Sequence, residues 1–183
     1  MTRRVVFLDR DGTLMVDVGY PRDPAQVQLL PGVPEGLAAC REAGYLLAII
    51  SNQSGVGRGY FGPEAVAAVH RQLLALLAER GITVDDAQYC LHAPEDRCDC
   101  RKPSPRMIQR SAQRLGADLQ QSFMVGDKPS DVEAGRLAGC RTILLRGGAM
   151  QTDPGAADFV ARDWHAIANR IRESSASQRE SST

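Results

Sequence analysis

Two carboxylates, Asp9 and Asp11, stand two positions apart at the end of the apolar run Val5–Leu8, within Asp9-Arg10-Asp11-Gly12-Thr13. Like charges this close repel unless a cation offsets them. The alternative is a solvated turn, for which Asp-Gly is a common pair. Three further groups come later in the chain, the first and third of them after short apolar runs. Ser51-Asn52-Gln53-Ser54-Gly55 offers a hydroxyl and amides that can hold phosphate oxygens, although the same residues also form turns. Arg101-Lys102-Pro103-Ser104 puts cations just ahead of a helix start, where charge and free N–H groups both favour an anion. Gly126-Asp127-Lys128-Pro129-Ser130-Asp131 sets acids on a strand-to-helix turn, a setting suited to a hard metal ion; Asp131 also fits as an ordinary first-turn acid.

A fifth group has a different chemistry. Cys90-x-His92, five intervening residues and Cys98-x-Cys100 supply three thiols and an imidazole. Cys₃His is a closed tetrahedral donor set for Zn²⁺, leaving no position for substrate, so the expected role is structural. The ion would pin the loop that carries Arg101 and Lys102. The alternative is unligated cysteines beside a surface histidine. Cys40 and Cys140 lie among apolar or helical residues and read as core, and His70 and His165 as structural.

These groups need elements to position them. Strands are expected at Val5–Asp9, Tyr45–Ile50, Ala87–Leu91, Ser122–Val125 and Arg141–Leu145. Helices are expected at Pro34–Ala43, Pro63–Arg80, Ser104–Leu115, Ser130–Ala138 and Asp163–Ile171, several closed by glycine. The alternation predicts an α/β fold, Rossmann-like, with a parallel sheet covered by helices on both faces and ligands at the carboxyl ends of the strands. One domain is expected over residues 1–172 of the 183, with the zinc loop at 90–100 and a disordered polar tail at 173–183. Between the clusters there is no room for a large cap domain.

Bulk properties narrow the partners. Acidic and basic residues balance at 22 each, with no basic stripe, which argues against nucleic acid. The longest apolar runs are strand-length, so no membrane span is expected. The N-terminus lacks a secretory apolar region, making the cytoplasm the expected location. A monomer acting on a small molecule fits these properties.

Taken together and in this order, DxDGT, a serine after the second strand, a lysine before a helix and GDxxxD resemble the signature of the haloacid dehalogenase superfamily of phosphohydrolases, from Val5 to about Arg172. The resemblance implies a HAD-like fold and a Mg²⁺-dependent phosphatase working through an aspartyl phosphate. It makes Asp9 the nucleophile and Asp11 the general acid and base, with Ser51 and Lys102 holding the transferring phosphoryl group. Its Mg²⁺ ligands would be Asp9, the Asp11 main-chain carbonyl and Asp127, with Asp131 behind them. The combination DRDGT, SNQSGVGRGYF, CxH…CDCRKP and GDK is similar to the histidinol-phosphatase-like branch, and within it to the heptose-bisphosphate phosphatases. That implies a sugar phosphate substrate in nucleotide-activated heptose synthesis, contacted by Asp17, Val18, Gly19 and Tyr20, by Ser51, Asn52, Gln53 and Ser54, and by Arg101, Lys102 and Lys128. Two alternatives are a histidinol-phosphate phosphatase, disfavoured by Ser54 and Arg58 where an acid would suit a cationic substrate, and a catalytically silent phosphate-binding domain, disfavoured by intact Asp9 and Asp11.

Overall fold

The computed structural model describes residues 3–146 and 157–180. Six parallel strands, β1 (Arg4–Leu8), β2 (Tyr45–Asn52), β3 (Asp86–Cys90), β4 (Phe123–Gly126), β5 (Arg141–Leu145) and β6 (Phe159–Ala161), form one sheet in the order β3-β2-β1-β4-β5-β6. The order reverses at β1, so β1 and its neighbours β2 and β4 border the crevice in which such sheets bind ligands. Along β1 the side chains alternate between two cores. Val6 and Leu8 join Leu37, Val69 and Trp164 on one face; Val5 and Phe7 join Met107, Ile108 and Ala134 on the other. Both faces being covered explains why the strands read as unbroken apolar runs.

The helices are α1 (Val33–Glu42), the short α2 (Ser54–Gly57), α3 (Pro63–Ala78), α4 (Arg106–Leu115), α5 (Pro129–Ala138) and α6 (Trp164–Glu180). Among the described residues no helix is long and apolar enough to cross a membrane. Among the described residues, the segments between strands hold the helices named here, with turns and loops.

Several boundaries differ from the expectation. Strand β2 runs two residues further, so Ser51 and Asn52 belong to the sheet, paired with Tyr89 and Cys90. Helix α4 begins at Arg106 rather than Ser104, with the Ser104 hydroxyl accepting from the Arg106 N–H at 3.3 Å. The strand β6 and the helix α2 were not anticipated. The largest correction concerns the end of the chain. The boundary at residue 172 is crossed by α6, which continues to Glu180 instead of giving way to a disordered stretch. Its serines are the reason: Ser174 and Ser175 are buried, and the Ser175 hydroxyl donates to the Ala43 carbonyl at 3.1 Å, satisfying a helix-end acceptor of α1. Residues 181–183 of the expected tail lie outside the described residues.

Candidate active site

The turn after β1 is held from three sides. The Asp9 N–H donates to the Val125 carbonyl at 2.9 Å, extending the pairing of β1 with β4. The Leu14 N–H returns to the Arg10 carbonyl at 2.9 Å. From below, the Trp164 indole donates to the Thr13 carbonyl at 2.8 Å, tying α6 to the turn. Gly12 has φ +84°, and a Cβ there would lie 2.3 Å from Asp127 Oδ2, so only glycine lets the two strand ends approach.

Three carboxylates converge in that crevice. One oxygen each from Asp9, Asp127 and Asp131 lies within 4.8 Å of the others. Lys102 Nζ reaches Asp9 Oδ1 at 2.6 Å and Asp131 Oδ1 at 2.5 Å, and donates to the Ile50 carbonyl at 2.7 Å. Lys102 is only 4% exposed; burial alone would push its ammonium down, but the charges of Asp131 and Asp9 pull it above the ordinary lysine range. Burial, with the charge of Asp9 added, pushes Asp127 up to about 7, and Asp127 Oδ1 is buried without a hydrogen-bond partner. Burial likewise raises Asp131 to about 6, while Lys102 opposes the shift. A buried orphan acceptor beside two further acids is a donor set for a hard divalent cation. Asp131 has both oxygens engaged, Oδ1 by Lys102 and Oδ2 by the Lys128 N–H at 3.0 Å, whereas Asp9 meets Lys102 through Oδ1 alone, which leaves Asp9 and Asp127 as the better placed pair.

Asp11 stands apart from that trio. Burial raises its proton affinity, Arg10 lowers it and Asp9 raises it, with a net upward shift. Gln53 donates to Asp11 Oδ2 at 2.6 Å and to Ser51 Oγ at 2.9 Å. Since Ser51 accepts there, its own hydroxyl hydrogen remains available to donate.

The remaining expected residues fall into two sets. Asp17, Val18, Gly19 and Tyr20 form an exposed loop. Asp17 pairs with Lys128 Nζ at 3.0 Å, and the Tyr20 ring meets Tyr60 edge-on at 4.9 Å. A cavity of about 810 Å³ opens between this loop, Asp127, Lys128 and Trp164. The second set is half-buried. Asn52 Nδ2 donates to the Lys102 carbonyl at 3.1 Å and its Oδ1 accepts from the Lys102 N–H at 3.0 Å, so its amide clamps backbone. Arg101 donates to the His92 carbonyl at 3.5 Å, and Ser54 opens α2. Arg10 and Tyr89 carry no role in the sequence itself, and His70 reads there only as structural. Tyr89 meets His70 Nδ1 at 2.7 Å, a contact between β3 and α3 that no sequence spacing signals.

At the far end of the loop carrying Lys102, the Sγ atoms of Cys90, Cys98 and Cys100 lie 3.2–3.7 Å apart, and His92 Nδ1 lies 3.4 Å from Cys100 and 3.7 Å from Cys90. All five cysteines are unpaired. A tetrahedron of thiolate bonds about 2.3 Å long has edges of about 3.8 Å, close to these separations. Cys40 and Cys140 are buried core residues, as expected.

Comparison with known proteins gives a consistent set. A family model described as HAD-hydrolase-like matches residues 99–174. The D-glycero-beta-D-manno-heptose-1,7-bisphosphate 7-phosphatase of Mesorhizobium japonicum is 42% identical over 166 residues, covering 86% of this chain and 76% of that protein. The enzyme of the same name from Pasteurella multocida is 39% identical over 160 residues, covering 84% and 87%. Among solved structures, the D,D-heptose 1,7-bisphosphate phosphatase of B. bronchiseptica, complexed with magnesium and phosphate, superposes with a TM-score of 0.81 at 31% identity, covering 93% of this chain and 98% of that one.

Proposed function

This chain belongs to the D-glycero-beta-D-manno-heptose-1,7-bisphosphate 7-phosphatase family of HAD-like hydrolases, and on that premise we propose that it removes the 7-phosphate of the heptose bisphosphate through an aspartyl phosphate on Asp9. The observation that carries the reading is the buried Lys102 ammonium bridging Asp9 and Asp131 beside the orphaned Asp127 oxygen. A lysine there steadies the nucleophile and is placed to neutralise an equatorial phosphoryl oxygen.

In the first step an Asp9 oxygen attacks phosphorus in line, the P–O bond to the sugar breaks, and Asp11 passes its proton to the departing alkoxide. In the second, Asp11 takes a proton from water as the water oxygen attacks phosphorus, releasing phosphate and restoring Asp9. The Ser51 hydroxyl and Lys102 hold the phosphoryl group through both steps. Mg²⁺, supported by the magnesium complex of the B. bronchiseptica relative, would be held by Asp9, Asp127 and the Asp11 main-chain carbonyl and would neutralise phosphoryl charge. Cys90, His92, Cys98 and Cys100 would hold Zn²⁺, as their separations support. Lys128 and Arg101, with the Asp17–Tyr20 loop and Ser54, are proposed to meet the sugar and its second phosphate; the exposure of Lys128 beside the cavity supports this.

A phosphate-release panel tests the reading. Heptose 1,7-bisphosphate should be hydrolysed with far higher kcat/KM than fructose bisphosphate or histidinol phosphate, and phosphorus NMR should show the 1-phosphate retained. Faster turnover of histidinol phosphate would overturn it.

A further inference from the structure

Arg10 lies between the two acids of the turn and is wholly buried. On an extended strand end its side chain would point away from both, yet it folds back onto Asp11. Its Nε donates to both Asp11 oxygens at 3.2 Å and its Nη2 to Oδ1 at 3.1 Å. The same Nη2 donates to Gln53 Oε1 at 2.8 Å, and Gln53 Nε2 donates to Asp11 Oδ2 at 2.6 Å. The three side chains therefore close a ring in which the Asp11 carboxyl is gripped on both oxygens. Behind it the guanidinium sits 5.8 Å from the centre of the Tyr89 ring, whose hydroxyl is fixed by His70.

An arginine kept only for stability is a poor fit to this place. Desolvating a guanidinium offsets much of what one ion pair contributes. Arg10 also leaves Nη1 buried without a hydrogen-bond partner. Being buried, it has no route to substrate. What it does control is the torsion of Asp11, whose carboxyl would otherwise rotate. Three donor hydrogens, the Arg10 Nε–H shared by both oxygens, one from Nη2 and one from Gln53, meet four acceptor sites, so the grip leaves one for the proton in transit.

Resting on the reading of Asp11 as general acid, we propose that Arg10 and Gln53 are positioning residues that hold the Asp11 carboxyl facing the leaving oxygen. Proton delivery matters most when the leaving group is a poor one. A sugar alkoxide depends on it, whereas a nitrophenolate departs with little help.

The test compares kcat/KM, which reports the steps through alcohol release, on heptose bisphosphate and p-nitrophenyl phosphate in the Mg²⁺-loaded full chain. Arg10→Met should lose about 100-fold on the sugar and about tenfold less on the aryl ester, in kcat rather than KM. Arg10→Lys, which keeps the charge but not the planar fork, should fall between. Equal losses on both substrates, with unchanged circular dichroism, would overturn the proposal. Should Arg10→Met fail to fold, Gln53→Met keeps the buried ion pair and must show the same selectivity in smaller degree; its absence overturns the proposal as well. Asp11→Asn run in parallel separates the two claims. If that variant shows no preference for the aryl ester, the acid role of Asp11 fails rather than the positioning of it.

Discussion

Two polar clusters share one loop and are held together by opposite means. At Lys102 the acids of the phosphoryl site find cations of the protein itself: Lys102 bridges Asp9 and Asp131, and Arg10 grips Asp11. The Cys90, His92, Cys98 and Cys100 cluster, which ends two residues before Lys102, packs four ligand atoms within 4.8 Å of one another with no lysine or arginine among them. The first keeps its shape through internal ion pairs; the second has none and rests on core packing and thiol contacts. On the proposed reading this contrast is that between an exchangeable Mg²⁺ site and a closed Zn²⁺ site.

The largest expected effect lies in the first cluster. Asp9→Asn should fold, since the amide preserves the shape, and should lose at least about 10⁴-fold in kcat, a barrier increase of about 5 kcal/mol, because an amide forms no phospho-enzyme. Turnover within tenfold of wild type, or no acid-stable label transferred from substrate to wild-type protein, would remove Asp9 as nucleophile. The second cluster should respond in stability. Cys98→Ser should release zinc from a protein that otherwise carries about one equivalent, and should lower the melting temperature by about 10 °C, since a closed site contributes its binding energy to folding. Activity should fall through displaced Arg101 and Lys102. Wild-type protein that is zinc-free, fully active and unchanged in melting would erase the contrast.

Much of the first cluster is legible in the sequence because Asp9, Ser51 and Asp127 end apolar runs, and a parallel sheet places run ends together. Lys102 is found instead from its place just ahead of a helix. Direction is what the sequence hides. Nothing in Asp-Arg-Asp says that Arg10 turns inward, or in Ser-Asn-Gln that Asn52 faces the Lys102 backbone rather than substrate. The extension of helix α6 beyond Ile171 is missed for a related reason: Glu173-Ser174-Ser175 is polar in composition, but two of its hydroxyls face the protein. Strand β6 is three residues long with one side exposed, too short to show a period.

The redirected Asn52 gives the third prediction. Its amide makes two hydrogen bonds to the Lys102 backbone, each contributing about 1 kcal/mol, so Asn52→Ala should loosen the lysine and lower kcat about tenfold. KM for the sugar phosphate should move less than about threefold. A rise in KM at unchanged kcat would instead make Asn52 a direct substrate contact.

The smallest effect is also the one with inverted sign. Without a divalent cation, Asp127 is a half-buried acid close to Asp9 with one buried oxygen unpartnered, pushed up to about 7 by burial first and by Asp9 second. In the unfolded chain its value is about 3.9. As pH falls through 7 the native state binds a proton that the unfolded state does not, so stability rises with acidification from pH 8 toward pH 5. Above pH 7 the ionised carboxylate is a strain on the fold. Asp127→Asn should therefore abolish activity by removing a Mg²⁺ ligand while stabilising chelator-treated protein at pH 8 by about 1 kcal/mol, allowing for solvent screening, or about 3 °C in melting temperature. At pH 5.5 the gain should vanish, because the wild-type carboxyl is then protonated too. With Mg²⁺ present the order should reverse, the wild type being the one that binds the cation. A variant that melts below wild type in chelator at pH 8 would show that internal cations already balance this cluster, and that metal is not what its crowded acids lack.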